Sequence, residues 1–577
     1  MNLKKIIPSF CLILCCGCAS SSTRCQIDGY LGPMDIEVLS EDQRITAIQV
    51  LSHADTPEIA DPALADFIAQ ILENQTLQID AVSGATQSCE ALRKGIERLL
   101  KRQGFTEEQL YAARPQTPTV QEEASEIYDV VVIGGGGAGL AAAVSAARQG
   151  ASVAVLEKAD SLGGNTIRAT AMYNCVDDQL QHPLQIMDSE QLFFEETFNG
   201  GHQKAKPELV RILTSQADEG LAFLQELGLE IDTVIDNCLG GEHARGHYSK
   251  AHNGTDFIQV LSDACVREQV DFYLNTRAEA LIQEGSAVIG VQAVQQRQPI
   301  QFQARQGVIL ATGGFGYNVE MRMQYDQSLT GDLLCSNTPG TVGDGLVMAQ
   351  AIGASLIDME YIELYPMADI YDGGLHNSIP NAINHGILVN TEGDRFIRED
   401  AGRDELAQAI RSQDHGFVYS LADDDFSSLQ EDRDFLEGLV LMGQVVKADT
   451  LEDLARQLEL DFSVLEAAVN DYNRSVEQQY DPRFQRRTLI NKIDHPPFYA
   501  TAKTVTVHHT LGGVEINEHA QVLDQKTQPI PRLYAAGEVT GGIHGANRLG
   551  GNSFPDCIVF GRIAGTEAAA QPPRPMS

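Results

Sequence analysis

Two short stretches of the 577-residue chain hold residue types suited to binding phosphate. The first is D-A-V-S-G-A-T-Q-S, Asp80 to Ser88, which precedes a helical pattern with Leu92, Ile96, Leu99 and Leu100 on one face. Small polar residues are common in turns, and Ser88 as an N-cap would account for part of the stretch. The same stretch also sets hydroxyls beside a helix N-terminus, where free N–H groups and the helix dipole favour a phosphate. The second stretch is Y-D-V-V-V-I-G-G-G-G-A-G-L-A-A-A, Tyr128 to Ala143. A buried strand runs into a glycine turn and then into an Ala-rich helix. Gly134, Gly136 and Gly139 form G-x-G-x-x-G: the first glycine permits the turn, the second lets a pyrophosphate approach, and the third lets helix and strand pack. V-A-V-L-E, Val153 to Glu157, then ends a second strand on an acid at the spacing of a ribose-hydroxyl contact. Strand, fingerprint, helix and acid together point to a dinucleotide rather than to a bare glycine turn.

The rest of the chain must position these groups. Its length allows more than one domain and a large core. Met34 to Leu39 and Ile45 to Leu51 alternate around a polar turn, which predicts a hairpin, and a helical pattern follows near Pro62 to Leu72. These elements predict a small α+β domain over 26–109. The Pro-, Thr- and acid-rich run R-P-Q-T-P-T-V-Q-E-E-A-S-E, Arg114 to Glu126, reads as part of a linker over 110–126. With 80 acidic and 41 basic residues the net charge is −39, which argues against general nucleic-acid binding. An acidic chain can still hold an anion on a local pair of arginines. Of the eleven cysteines the first three fall in the signal, and the other eight include no C-x-x-C pair for zinc and no C-x-x-C-H for a c-type haem, so no metal site is expected.

The chain opens with Lys4 and Lys5 and an apolar run, Ile6 to Cys16, too short to span a bilayer as a mature helix. C-C-G-C-A-S-S-S follows, Cys15 to Ser22, and resembles a bacterial lipoprotein signal with Gly17 before an acylated Cys18. Cys15 stands where the usual pattern has leucine, and a signal cut slightly later would leave no lipid. Either reading places the protein outside the cytoplasm. The first predicts a signal over 1–18 and a lipid anchor.

Further motifs identify the dinucleotide by resemblance. They are K-A-D-S-L-G-G-N-T (Lys158 to Thr166), V-I-L-A-T-G-G-F-G (Val308 to Gly316) and L-Y-A-A-G-E-V-T-G-G-I-H-G-A-N-R-L-G-G-N-S (Leu533 to Ser553). They resemble the FAD-binding segments of the succinate dehydrogenase and fumarate reductase flavoprotein family. The resemblance runs from Tyr128 to Ala568 and is closest to the soluble fumarate reductase branch, which includes urocanate reductase. It implies an α/β fold: a Rossmann-like FAD-binding domain over 127–360 and 505–577, split by an α+β clamp domain over 361–504. The implied contacts to non-covalent FAD are Gly134, Gly136, Ala138, Gly139, Glu157, Lys158, Gly164, Asn165, Thr166, Gly313, Gly314, Asp344, Glu538, Asn552 and Ser553.

Three motifs carry the family's chemistry. V-H-H-T-L-G-G (Val507 to Gly513) implies His508, with His509 second, as a carboxylate ligand. H-G-A-N-R-L-G-G-N (His544 to Asn552) implies Arg548 as the main carboxylate clamp, a guanidinium forking onto two oxygens. I-L-V-N-T-E-G-D-R-F-I-R-E-D-A-G-R-D (Ile387 to Asp404) implies Arg403 as the proton donor. The implied reaction reduces a C=C bond conjugated to a carboxylate, with hydride from FAD N5 and a proton from Arg403. Arg548 and His508 would stabilise the charge that grows on the carboxylate. Free guanidinium hardly releases a proton, so this donor needs a resupply.

The chain departs from the family at two places. The family's Glu and Arg relay positions fall near Ile379 and Ala382, which carry no proton; Asp400, Asp404 and His385 are the candidate substitutes. Tyr365 stands where fumarate reductases have histidine and urocanate reductases have tyrosine. A phenol suits an aromatic or monocarboxylate substrate, so urocanate, a cinnamate-type or an acrylate-type acid is expected ahead of fumarate.

The same family explains the opening stretch. D-x-x-S-G-A-T resembles the motif of an FMN-binding domain in which a flavin transferase joins FMN phosphate to the threonine, here Thr86. Electrons would then pass from a membrane quinol dehydrogenase, surface flavoprotein or cytochrome to FMN, FAD and substrate. Two alternatives stand beside this reading: a ketosteroid-type flavin dehydrogenase, and a non-catalytic surface electron carrier.

Overall fold

The computed structural model describes residues 20–28, 32–41, 43–53, 57–79, 86–111, 124–375, 385–426 and 430–575. The chain forms two compact units, Met1–Gln121 and Glu122–Ser577. The helix and sheet content is that of an α/β protein.

In the first unit, Pro33–Glu41 and Arg44–His53 form the expected antiparallel hairpin. A third strand, Ser20–Asp28, pairs with Pro33–Glu41 and was not expected, because S-S-S-T-R-C-Q shows no apolar alternation. Helices Pro57–Asn74 and Thr86–Arg102 complete the unit. Met34, Ile36 and Val38 alternate inward and meet Phe67, Ile71, Leu92, Ile96 and Leu99 in one core. Gly95 permits this approach, since a Cβ there would lie 2.6 Å from Ile36 Cδ1. The second helix begins at Thr86, so Ser88 is its third residue and does not cap it. Asp80 to Ala85 lie outside the described residues, as do residue 18 and the rest of the leader.

In the second unit, parallel strands run in the order Pro529–Ala535, Gln298–Leu310, Ala124–Ile133, Val153–Leu156 and Asp271–Tyr273. The strand Ala124–Ile133 takes up Ala124, Ser125 and Glu126, which the sequence places in the linker. Helix Gly137–Arg148 packs on this sheet, and helix Ser553–Ala569 crosses it closely. A Cβ at Gly565 would lie 2.1 Å from the Ala142 carbonyl oxygen, so only glycine fits that crossing.

A separate antiparallel sheet holds Ile362–Asp369, Phe498–Thr510, Phe417–Ala422 and Gly386–Val389, with Val446–Ala448 against Phe498–Thr510. Helix Arg403–Arg411 rests on it. The strand Phe498–Thr510 runs unbroken through residue 504, where the sequence reading ends the insert, and it carries His508 and His509.

Candidate active site

The glycine turn does what its spacing predicts. Gly134 has φ +109°, and a Cβ at Gly139 would lie 1.9 Å from the Gly134 oxygen, so Gly139 serves packing and does not face the cavity. Gly136 is the N-cap of helix Gly137–Arg148, and its Cβ direction is open, with the nearest atom 3.8 Å away. These features border a cavity of about 640 Å³. Gly134, Gly136, Ala138, Glu157, Lys158, Gly164, Asn165, Thr166, Gly313, Asp344, Glu538 and Ser553 all line it.

Gly314 and Asn552, like Gly139, stand behind the wall. A Cβ at Gly314 would lie 1.8 Å from Thr510 Oγ1. Asn552 is buried; it accepts a bond from Asn174 (2.7 Å) and donates one to Thr197 (3.1 Å). Their contribution is the shape of the wall. Glu157 accepts the Gly135 N–H at 2.8 Å, which ties the acid to the turn. Lys158 and Asp344 pair across the cavity at 2.6 Å. Glu538 accepts the Thr510 N–H at 3.0 Å, and burial pushes its carboxyl up. An open glycine cradle at a helix N-terminus and an acid at the end of the second strand, in a largely apolar cavity, fit a flavin dinucleotide.

His508 and His509 line the same cavity, so the carboxylate cluster adjoins the dinucleotide site. Ser336 Oγ lies 2.8 Å from His508 Nδ1, and Asn337 donates to the His508 carbonyl at 2.6 Å. Burial pushes the His508 imidazole down to about 3, so it is neutral near pH 7. His509 is pushed the same way, and its Nε2 is buried without a hydrogen-bond partner. Tyr365 faces His508 with ring centroids 5.4 Å apart, and the Arg403 guanidinium sits 5.1 Å above the Tyr365 ring. Arg403 is the first residue of its helix, and a Cβ at Gly550 would lie 2.8 Å from its Nη2.

One residue at the centre is absent from the sequence-based set. Glu363 pairs with Arg403 and takes two bonds from Arg548, at 2.9 Å from Nε and 3.1 Å from Nη2. The Glu363 and Arg548 side chains are each only 2% exposed. Burial pushes the Glu363 carboxyl up, but Arg548 and Arg403 more than reverse this and hold it at about 2. Strand alternation could have found it: in I-E-L-Y, Glu363 is two residues before Tyr365 and shares its face.

The three substitute proton carriers do not meet Arg403. Asp400 accepts the Arg487 and Thr488 N–H groups at 2.7 and 2.9 Å. Asp404 pairs with His202 at 2.8 Å, and His385 bonds Asn491 at 3.0 Å. Among the described residues the carboxylate on Arg403 is Glu363; positions 379 and 382 lie outside them. Elsewhere, Asp423, Asp494 and His495 come within ligand distance of one another, but Asp423 is occupied by the N–H groups of Asp494 and His495 at 2.8 and 2.9 Å.

Comparison with known proteins agrees with this geometry. An FAD binding domain family matches residues 129–554 and an FMN-binding domain family matches residues 29–101. The chain is 34% identical over 553 residues to a urocanate reductase of Eggerthella lenta, covering 94% of this chain and 91% of that protein. It is 31% identical over 605 residues to an NADH:acrylate oxidoreductase of Vibrio harveyi, covering 94% of this chain but only 60% of that longer protein. Among solved structures, the open form of a flavocytochrome c3 fumarate reductase superposes with TM-score 0.64 at 34% identity, covering 77% of this chain and 78% of that one. A 3-ketosteroid dehydrogenase from Rhodococcus jostii RHA1 shares the fold, with TM-score 0.62 at 26% identity over 80% of this chain and all of that one. With its FMN-binding and FAD-binding domains, the chain belongs to the fumarate reductase and urocanate reductase family of FAD-dependent oxidoreductases.

Proposed function

We propose that this protein reduces the C=C bond of an α,β-unsaturated carboxylate. One observation carries the reading: Arg403, Arg548, Tyr365 and His508 converge beside the dinucleotide cavity. Reduced FAD in that cavity supplies the hydride when bound. The chain's own groups do the rest. Arg548 and the neutral His508 bind the substrate carboxylate and stabilise the charge that builds on it. Arg403, beside the ring of Tyr365, delivers a proton to the α-carbon. Relatives bear the names of acrylate, urocanate and fumarate, and among these Tyr365 argues for the first two. The arginine–histidine set argues for an acid rather than a ketosteroid, despite the shared fold.

Electrons enter through FMN joined to Thr86 as a phosphoester, placed there by a flavin transferase. The leader and Cys18 support an exported protein anchored by lipid, near a membrane quinol dehydrogenase, surface flavoprotein or cytochrome. The direct test uses protein made with a flavin transferase and reduced anaerobically. Flavin reoxidation is followed on adding fumarate, urocanate, cinnamate, acrylate, methacrylate or a 3-ketosteroid. Fast reoxidation by one enoate supports the reading, and reoxidation by none of them overturns it. In Thr86→Ala, mass spectrometry is expected to show loss of the covalent FMN while bound FAD is retained; retained covalent flavin would refute the attachment.

A further inference from the structure

We propose that Glu363 is a specificity-determining residue that matches the site to substrates bearing one negative charge and rejects dianions. The inference rests on the enoate-reductase reading and deepens it.

The cluster holds two guanidinium groups, Arg403 and Arg548, and one carboxylate, Glu363, which bonds to both. The neighbouring histidines add no charge, because burial pushes His508 and His509 down. Glu538, an acid on the dinucleotide side, accepts bonds from Thr510 and Asn165 and none from either arginine. Within the bonded cluster the remainder is one positive charge, in a buried site. A monoanion brings that sum to zero. A dianion overshoots it and leaves a negative charge enclosed beside Glu363, where Coulomb interaction is weakly screened.

Donors remain for one carboxylate. Arg548 commits Nε and Nη2 to Glu363, and Arg403 commits Nη1. Arg403 Nε is buried with no hydrogen-bond partner, and so is His509 Nε2. Buried polar atoms left unpaired cost free energy until a ligand meets them. Together with Arg548 Nη1 and His508 Nε2, which make no hydrogen bond among the described residues, they leave room for a single added anion beside the carboxylate that already occupies the arginine forks.

The test compares fumarate with its monomethyl ester, which keeps the reacting skeleton and removes one charge. In the wild-type holoenzyme the monoester is expected to have a kcat/KM at least about tenfold above that of fumarate. In Glu363→Gln, which removes the charge with little change of shape, the ratio should move toward fumarate by about tenfold or more. Glu363→Asp keeps the charge and should keep the wild-type preference, which a purely structural role would not predict. Wild-type protein that reduces fumarate as well as the monoester overturns the proposal, and this arm does not depend on a variant folding. An unmoved ratio in Glu363→Gln also overturns it, as expected if Glu363 only holds the anion site until substrate displaces it. Failure of every enoate to reoxidise the wild-type flavin is a different result, and it removes the enoate reading itself.

Discussion

Two of the buried arginine–carboxylate clusters in the larger unit differ in how their charges close. In the first, Arg395 and Arg486 meet Glu399 and Asp481, all with side chains at most 1% exposed. Two positive charges face two negative ones. Arg486 also donates to the carbonyls of Gly386 and Thr488 at 2.7 Å, and both guanidiniums lie near the ring of Tyr472. In the second cluster Arg403 and Arg548 share Glu363 alone. The first is closed and ties the clamp's chain segments together. The second is short of one anion. Buried charge is costly unless compensated, so an uncompensated remainder marks a place where a ligand belongs.

Breaking the open cluster should cost activity and spare the fold. Arg403→Ala leaves Glu363 bonded to Arg548 as a neutral pair. Turnover with the best enoate is expected to fall by about 10²–10⁴, the usual range for a lost general acid. FAD content and the thermal midpoint should stay near wild type. Turnover within a factor of a few of wild type would remove Arg403 from the proton-donor role.

Breaking the closed cluster should do the reverse. Glu399→Gln leaves Arg395 and Arg486 with one carboxylate between them, and such losses cost about 3–5 kcal/mol. Urea unfolding of the holoprotein reads this, and the preference among enoates in the folded fraction should not change. Unaltered stability would show that water or rearrangement replaces the lost charge.

The smallest effect expected is on pH dependence. His508 has a folded pKa pushed down to about 3, below its ordinary 6.5. Between these values the unfolded chain binds a proton that the folded chain refuses, so stability falls as pH falls from about 6.5 toward 3. Glu363 works in the same direction lower down: its stabilisation is present above its ordinary 4.5 and is lost toward about 2. His508→Gln should flatten the slope of unfolding free energy against pH by up to about one proton between pH 6.5 and 4.5. An unchanged slope there would mean that His508 is protonated in the folded protein.

The sequence was legible where function is local. The turn at Gly134, the strand before it and the acid at Glu157 are fixed by neighbours within thirty residues or so, and the cavity lies where they place it. The hairpin of the small unit was legible for the same reason, since alternation is a two-residue period. Glu363 was legible only as a face-mate of Tyr365; its pairing was not, because its partners are 40 and 185 residues away. The limit of the insert was hidden too: Phe498–Thr510 is a single strand, and no turn residue marks where one layer passes to the next. Ser20–Asp28 escaped because its pairing comes from a neighbour's edge and not from its own pattern.

That strand has a mechanical consequence. Phe498–Thr510 pairs with Ile362–Asp369 up to the Ile362–Thr510 rung, so the two chain crossings travel as one ribbon. Just beyond the rung the crossings touch, and a Cβ at Gly512 would lie 2.3 Å from the Asp358 carbonyl. The ribbon bears Glu363, Tyr365 and His508, and the helix that begins with Arg403 leans on it. Arg548 reaches the cluster from the other side, on the loop that leads into helix Ser553–Ala569. The site is therefore a jaw with a latch. Any rotation of the ribbon away from that loop must first part Glu363 from Arg548, and any return must find it again.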